Sequence, residues 1–173
     1  MEFIKIDSNF KDKEKLYSLN DEAFPKEERI PSEKLINLLD ECGCDSWAFY
    51  DDEFAGFAII ITDSENRECY LSYFAIDKKF RGQGKGSKAL QKLQNVYSDY
   101  QIALDMERID EVNAENFEQR KKRVAFYERN GFKRTRFSDI KRFYTGGDRI
   151  SGRSGGKPEG AQESRYRRAR YAR

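Results

Sequence analysis

Residues 69–87 read Cys-Tyr-Leu-Ser-Tyr-Phe-Ala-Ile-Asp-Lys-Lys-Phe-Arg-Gly-Gln-Gly-Lys-Gly-Ser, and the fold turns on how they are read. Cys69 to Ile76 is an apolar, strand-like run, and Asp77-Lys78-Lys79-Phe80 is a charged spacer. Gly82, Gly84 and Gly86 follow within seven residues, Arg81 to Ser87. A helical pattern then runs from about Gly84 to Tyr97, with Leu90, Leu93 and Val96 on one face. A strand, a glycine-rich turn and a helix start, in that order, build an anion site. The first N–H groups of a helix lack internal partners and carry about half a positive charge together. Glycines let backbone approach a ligand where a Cβ would intrude. Phosphate or pyrophosphate is the natural guest.

Three glycine patterns compete for this stretch. G-x-x-x-x-G-K-[ST] fails, because neither Gly82 nor Gly84 is followed by Gly-Lys at the right distance. G-x-G-x-x-G begins with Gly82-Gln83-Gly84, but Ser87 stands at the third glycine. Asp105, at the end of the next strand, sits where a ribose-binding acid would be, which keeps a dinucleotide reading open. [Q/R]-x-x-G-x-[G/A] is matched at every fixed position by Arg81, Gly84 and Gly86.

Composition bounds the remainder. The 173 residues fit one domain with a real core. Hydrophobic residues make up 38% and aromatics 14%, which argues for folding. Charges nearly cancel at +2, so the global balance says nothing about nucleic acid or anionic membranes, and no nucleic acid partner is expected. No membrane span or signal segment is legible, and cytoplasm is the expected location. Three cysteines, with Cys42-Gly43-Cys44 as C-x-C and Cys69 alone, predict reduced thiols and no metal site. There is no histidine, so histidine-based triads are excluded and any base is Asp, Glu, Tyr, Lys or a water relay.

In chain order, 2–6 reads as a strand, 11–24 as an amphipathic helix ended by Pro25, and Pro31 opens a second helix to about Cys42. Strands at 46–50, 54–62 and 68–77, joined by tight polar turns, form an antiparallel meander. That order weighs against a doubly wound dinucleotide domain. After the glycine-loop helix come a strand at 101–106, a polar loop at 110–116 and a last helix at 117–130, capped by Asn130-Gly131. A strand at 132–136 follows, with 140–144 as its partner. Gly, Ser, Arg, Lys, Pro and Glu dominate beyond Ile150. The domain is expected over 1–145, with 146–173 an atypical, poorly ordered Gly/Arg-rich tail.

The Arg81-to-Gly86 pattern resembles the acetyl-coenzyme A loop of the GCN5-related N-acetyltransferase (GNAT) family. Phe126-Tyr127-Glu128-Arg129-Asn130-Gly131-Phe132 resembles its second landmark, a helix ending F-Y-x-x-x-G-F and feeding a strand. The run from Asp21 to Pro31 is similar to the first helix and loop of some bacterial members. The resemblance implies an α+β fold with a mixed, mostly antiparallel sheet of six to seven strands, a splayed central pair and four flanking helices. It implies acetyl-coenzyme A as cosubstrate and an amine as acceptor, in a monomer or homodimer.

The resemblance also implies roles. The backbone of Phe74, Ala75 and Ile76 would pair with the pantetheine arm, and the N–H groups of Gly82, Gln83, Gly84, Lys85, Gly86 and Ser87 would hold the pyrophosphate. Arg81 and Lys85 would add charge. Ile76 N–H would stabilise the oxyanion. Tyr127, protonated at neutral pH, would protonate the leaving thiolate and line the cofactor site. Phe126 reads as core. Asn116 would touch pantetheine or cap its helix. Glu68, Glu107 and Asp105 are candidates for the base, with Tyr73 as a relay, and Glu28 is placed to meet a cationic acceptor. Arg149-Ile150-Ser151-Gly152-Arg153 is poor strand material where the family's last strand should lie. Either 140–144 closes the sheet or the sheet is one strand short. The alternatives are a non-catalytic coenzyme A or nucleotide-binding module, and an NAD-binding protein.

Overall fold

The computed structural model describes residues 1–107, 109, 113–134 and 168–172. Chain order is β1 (Glu2–Lys5), α1 (Lys13–Ala23), α2 (Ser32–Cys42), β2 (Asp45–Asp51), β3 (Glu53–Asp63) and β4 (Glu68–Ile76). After a short 3-10 turn come α3 (Lys85–Val96), β5 (Gln101–Glu107), α4 (Phe117–Arg129), β6 (Lys133–Arg134) and β7 (Arg168–Ala172). Among the described residues the sheet has seven strands in the order β1-β2-β3-β4-β5-β7-β6. β1 to β4 pair antiparallel, and among the described pairs β4 and β5 alone run parallel. The antiparallel meander overturns the dinucleotide-domain reading, which needs helical crossovers between those strands.

Two cores lie on the two sheet faces. One packs Leu16 and Leu19 of α1 and Leu35, Ile36 and Leu39 of α2 onto Ala48, Phe57 and Ile59. The other packs Ala89, Leu90 and Leu93 of α3 and Val124 and Tyr127 of α4 onto Phe49, Ile60, Ile102 and Leu104. β3 is buried from Phe54 to Ile60, as its unbroken apolar run predicts for a central strand.

β4 carries a bulge that positions the site. Ile59 pairs with Tyr73 and Ile60 with Leu71, which leaves Ser72 as the extra residue. Alternation slips there. Cys69 and Leu71 belong to the α3/α4 core, whereas Tyr73 and Ala75 belong to the α1/α2 core. Extra residues of this kind bend a strand and re-aim its side chains.

Gly56 fixes how closely β3 and β4 approach. A Cβ there would stand 2.2 Å from the Ala75 carbonyl oxygen and 3.1 Å from Ile76 Cα, both backbone atoms. Gly56→Ala is therefore expected to destabilise the fold by about 2–3 kcal/mol, or about 8 °C in Tm for a chain this size. A Tm within 2 °C of the parent in a thermal melt would contradict this packing.

Two expectations are corrected. The closing strand comes from Arg168–Ala172, inside the stretch expected as a poorly ordered tail. It lies between β5 and β6, with Ala103 opposite Ala172 and Glu107 opposite Arg168. This pairing satisfies backbone groups that β5 would otherwise leave as an edge. Residues 140–144 and the 145/146 boundary lie outside the described residues. Cys42 and Cys44 are joined as a disulfide rather than reduced, where Gly43 turns the chain at φ +64°. Cys69 is free and buried, and burial pushes its thiol up to about 12.

Candidate active site

The parallel pair β4/β5 is zipped at one end only. Glu68, Cys69 and Tyr70 pair with Gln101, Ile102 and Ala103, and the ladder stops there. Among the described residues, the β5 side of β4 has no strand partner from Leu71 to Ile76. The splay expected from the resemblance is present, and it begins beside the Ser72 bulge.

Backbone parity shows what β4 offers to this gap. Asp77 N–H donates to the Ala55 carbonyl of β3, and the Ala75 carbonyl lies against Gly56. Residues 75 and 77 therefore turn their backbone groups to β3. Phe74 and Ile76, of opposite parity, turn theirs to the gap. Arg81 Nε donates to the Ile76 carbonyl at 2.8 Å, which leaves Ile76 N–H as the donor at the mouth of the gap. Ala75 was expected to pair with a ligand, but its backbone is committed to β3.

The glycine loop closes the gap's open end. Asp77 accepts from Lys79 N–H and starts the 3-10 turn. Gly82 and Gly84 take φ of +77° and +75°, the left-handed region that side chains disfavour. Gly84 is the N-cap of α3, and the first helical bond runs from Lys88 N–H to its carbonyl. The N–H groups of Lys85, Gly86 and Ser87 lie ahead of that bond and have no intrahelical partner. A Cβ at Gly86 would meet the Phe126 ring at 3.3 Å and Ile76 Cγ1 at 3.5 Å, so this glycine lets α3, α4 and β4 converge.

The loop's side chains are turned to protein acids. Arg81 Nη2 and Lys78 Nζ meet Glu22 of α1 at 3.4 and 3.3 Å. Lys79 meets Glu53 at 2.7 Å, and Lys85 pairs with Asp51. Gln83 Nε2 donates to the Lys79 carbonyl. Backbone N–H groups and the helix start thus carry the positive potential that remains unclaimed.

α4 brings aromatics onto the gap. Tyr127 is buried, edge-on to Phe74, Phe126 and Phe132. Burial raises its phenol above the ordinary value, against a smaller lowering by Arg123. Phe126 is half-buried and stacked on Phe74 with centroids 6.1 Å apart. Asn130 Nδ2 donates to Ser87 Oγ at 3.2 Å and ties the end of α4 to the start of α3.

The other expected residues are dispersed. Glu68 stands at the zipped end of β4, eight residues or about 25 Å of strand from Ile76. That separates it from the gap's mouth and removes it as a base. Glu107, counted along the parallel pair from Ala103 opposite Tyr70, is about level with Phe74, and it pairs with Arg123 at 2.9 Å. Tyr70 donates to Asp105 at 3.3 Å. Tyr73 donates to the Glu28 carbonyl at 2.9 Å and accepts from Ile30 N–H at 3.2 Å, so it anchors the α1–α2 connector on the opposite face from Tyr127. Asn116 sits at the N-cap of α4 without capping it, and its Oδ1 accepts from Arg120 Nε at 2.7 Å. Arg120 itself was not singled out by sequence, because Arg-Lys-Lys-Arg reads as a solvated face. Among the described residues no cluster of His, Cys, Asp and Glu could hold a metal, and no helix is long and apolar enough to cross a membrane.

Half-zipped parallel strands that end on a helix start with free N–H groups suit an extended ligand with a pyrophosphate at one end. This is the architecture of enzymes that take an acyl group from a coenzyme A thioester. The chain belongs to the Acetyltransferase (GNAT) family, whose model matches residues 13–132. Membership makes it an acetyltransferase with acetyl-coenzyme A as cosubstrate. A GNAT-family protein from Bacteroides thetaiotaomicron superposes with a TM-score of 0.72 at 22% identity, over 99% of this chain and 86% of that one. An aminoglycoside 6'-N-acetyltransferase complexed with coenzyme A gives 0.65 at 18%, over 100% and 96%. The ribosomal-protein-S18-alanine N-acetyltransferase from Escherichia coli gives 0.61 at 18%, over 99% and 91%. At these identities the likeness is one of fold. No curated protein matches the chain.

Proposed function

We propose that the chain transfers the acetyl group of acetyl-coenzyme A to a primary amine by direct attack on the thioester. The carrying observation is the half-zipped β4/β5 pair, with Phe74 and Ile76 facing its gap and Lys85–Ser87 N–H groups at its end. The pantetheine arm lies along β4 as a pseudo-strand, and the pyrophosphate meets the N–H groups of Gly82 to Ser87. The amine nitrogen bonds to the thioester carbon and an oxyanion forms. Ile76 N–H donates to that oxyanion. The C–S bond then breaks, Tyr127 gives its proton to the departing sulfur, and the extra proton on the acylated nitrogen passes through water to the tyrosinate, leaving a neutral amide and restoring the phenol. The thioester is already activated, so fixing the two reactants supplies much of the rate.

The acceptor enters from the face that carries Tyr73 and the Glu28 connector, opposite α4. Glu28 is exposed there, on the side from which a cationic amine would approach. Screening an amine library for coenzyme A thiol release tests the proposal. Turnover that requires both an amine and acetyl-coenzyme A is expected. Binding of acetyl-coenzyme A without thiol release to any amine would favour a non-catalytic module instead.

A further inference from the structure

Arg123 stands four residues before Tyr127, one turn back on the same side of α4. Helical side chains lean toward the N-terminus, so the Tyr127 phenol leans over the turn that carries Arg123. The guanidinium reaches off the helix, and its Nη1 meets Glu107 Oε2 of β5 at 2.9 Å. Glu107 is about level with Phe74 across the β4/β5 gap. The Phe74 ring is edge-on to Tyr127, with centroids 6.5 Å apart. Arg123, Glu107, Phe74 and Tyr127 thus meet at one level of the gap, two on α4 and one on each bank. Among the described residues, Arg123 is the one whose charge lowers the Tyr127 phenol.

Acetyl transfer puts a charge where none stands at rest. Tyr127 is 8% exposed, so the proton it gives to the departing sulfur leaves a tyrosinate out of water. A buried anion is costly unless a cation or hydrogen bonds meet it. Among the described residues the phenol oxygen makes no hydrogen bond, which leaves this task to a charge. A cation one turn away favours the ionised phenol, and the low dielectric around the buried ring strengthens its effect.

We propose that Arg123 is a positioning residue for acetyl transfer that acts through Tyr127: its guanidinium, held from β5 by Glu107, stabilises the tyrosinate formed as the C–S bond breaks. Glu107 then serves as the holder of a cation and not as a base. The proton balance of the reaction is unchanged. Sulfur takes the phenol proton, and the proton lost by nitrogen returns to the tyrosinate through water. The role rests on reading Tyr127 as the acid.

Arg123→Gln tests it. Glutamine removes the charge but keeps an N–H for Glu107. Arg123 is 44% exposed, so Tm and the Kd for acetyl-coenzyme A are expected to stay at parental values. Thiol release is followed with the best amine of the library and with hydroxylamine, a nucleophile small enough to reach the thioester without a fitted pocket. In Arg123→Gln, kcat should fall about tenfold, less than in Tyr127→Phe, because a supporting charge contributes no more than the acid it supports. KM for acetyl-coenzyme A should not move. Arg123→Met gives a second neutral variant for the same comparison. Arg123→Lys keeps the charge and should recover kcat to within about threefold of the parent. In the Tyr127→Phe background no tyrosinate forms, and Arg123→Gln should change kcat by less than about twofold. A similar loss in both backgrounds, or parental kcat in both neutral variants, would overturn the role given to Arg123. Parental kcat in Tyr127→Phe alone would instead overturn the acid reading beneath it, and a wild-type protein that releases no thiol with any nucleophile would overturn acetyl transfer itself.

Discussion

Tyr127→Phe is expected to lower kcat by about 10²-fold, at the low end of what a positioned acid contributes, and to leave the Kd for acetyl-coenzyme A within about twofold. The ring of Tyr127 is held by Phe74, Phe126 and Phe132, and the substitution keeps that ring. Among the described residues its hydroxyl makes no hydrogen bond, so removing it leaves no broken network. What is lost, on the proposed mechanism, is a proton for the departing thiolate. Burial holds that proton more tightly than in a free tyrosine. The phenol therefore stays an acid through neutral and mildly alkaline pH, and this group causes no fall in wild-type kcat below about pH 10. Steady-state thiol release, with acetyl-coenzyme A binding measured separately, checks the split. An unchanged kcat would reduce Tyr127 to a core aromatic.

Gly84→Asp should abolish measurable acetyl-coenzyme A binding, weakening it by more than about 100-fold, because like charges brought together cost several kcal/mol. The site has room for this substitution, and its backbone strain is small for an aspartate. A Cβ at Gly84 meets nothing within 4 Å, and aspartate is among the side chains that tolerate a φ of +75°. An acid at a helix N-cap also favours the helix. The fold should therefore survive, with Tm within a few degrees of the parent. The new carboxylate stands beside the N–H groups of Lys85 to Ser87, where a pyrophosphate would sit. Retained affinity in a folded Gly84→Asp protein would show that the ligand does not use this helix start.

The glycine loop and the F-Y-x-x-x-G-F run were legible because their information is local. Gly82 and Gly84 need positive φ, and the spacing from Arg81 to Gly86 is set by one turn. The meander was equally readable from alternation and polar turns. The bulge at Ser72 was not, since an extra residue in an apolar run leaves no mark in the alternation that a reader could distinguish from register. Yet it decides that Tyr73 faces the α1–α2 connector and that the ladder to β5 ends early. Glu68 looked close to the chemistry only because it shares a strand with Ile76. Arg120 lay hidden in a basic run, because a charge becomes buried through long-range packing. The pairs that Glu22, Asp51 and Glu53 make with the loop's cations join distant elements for the same reason. The closing strand, Arg168–Ala172, is separated from β6 by more than thirty residues, and no local rule joins them.

The account stands most directly on one titration: acetyl-coenzyme A and NAD, each run separately into the wild-type protein in a calorimeter. It predicts one acetyl-coenzyme A per chain and no heat from NAD. Absence of acetyl-coenzyme A binding, or saturable binding of NAD, would contradict it.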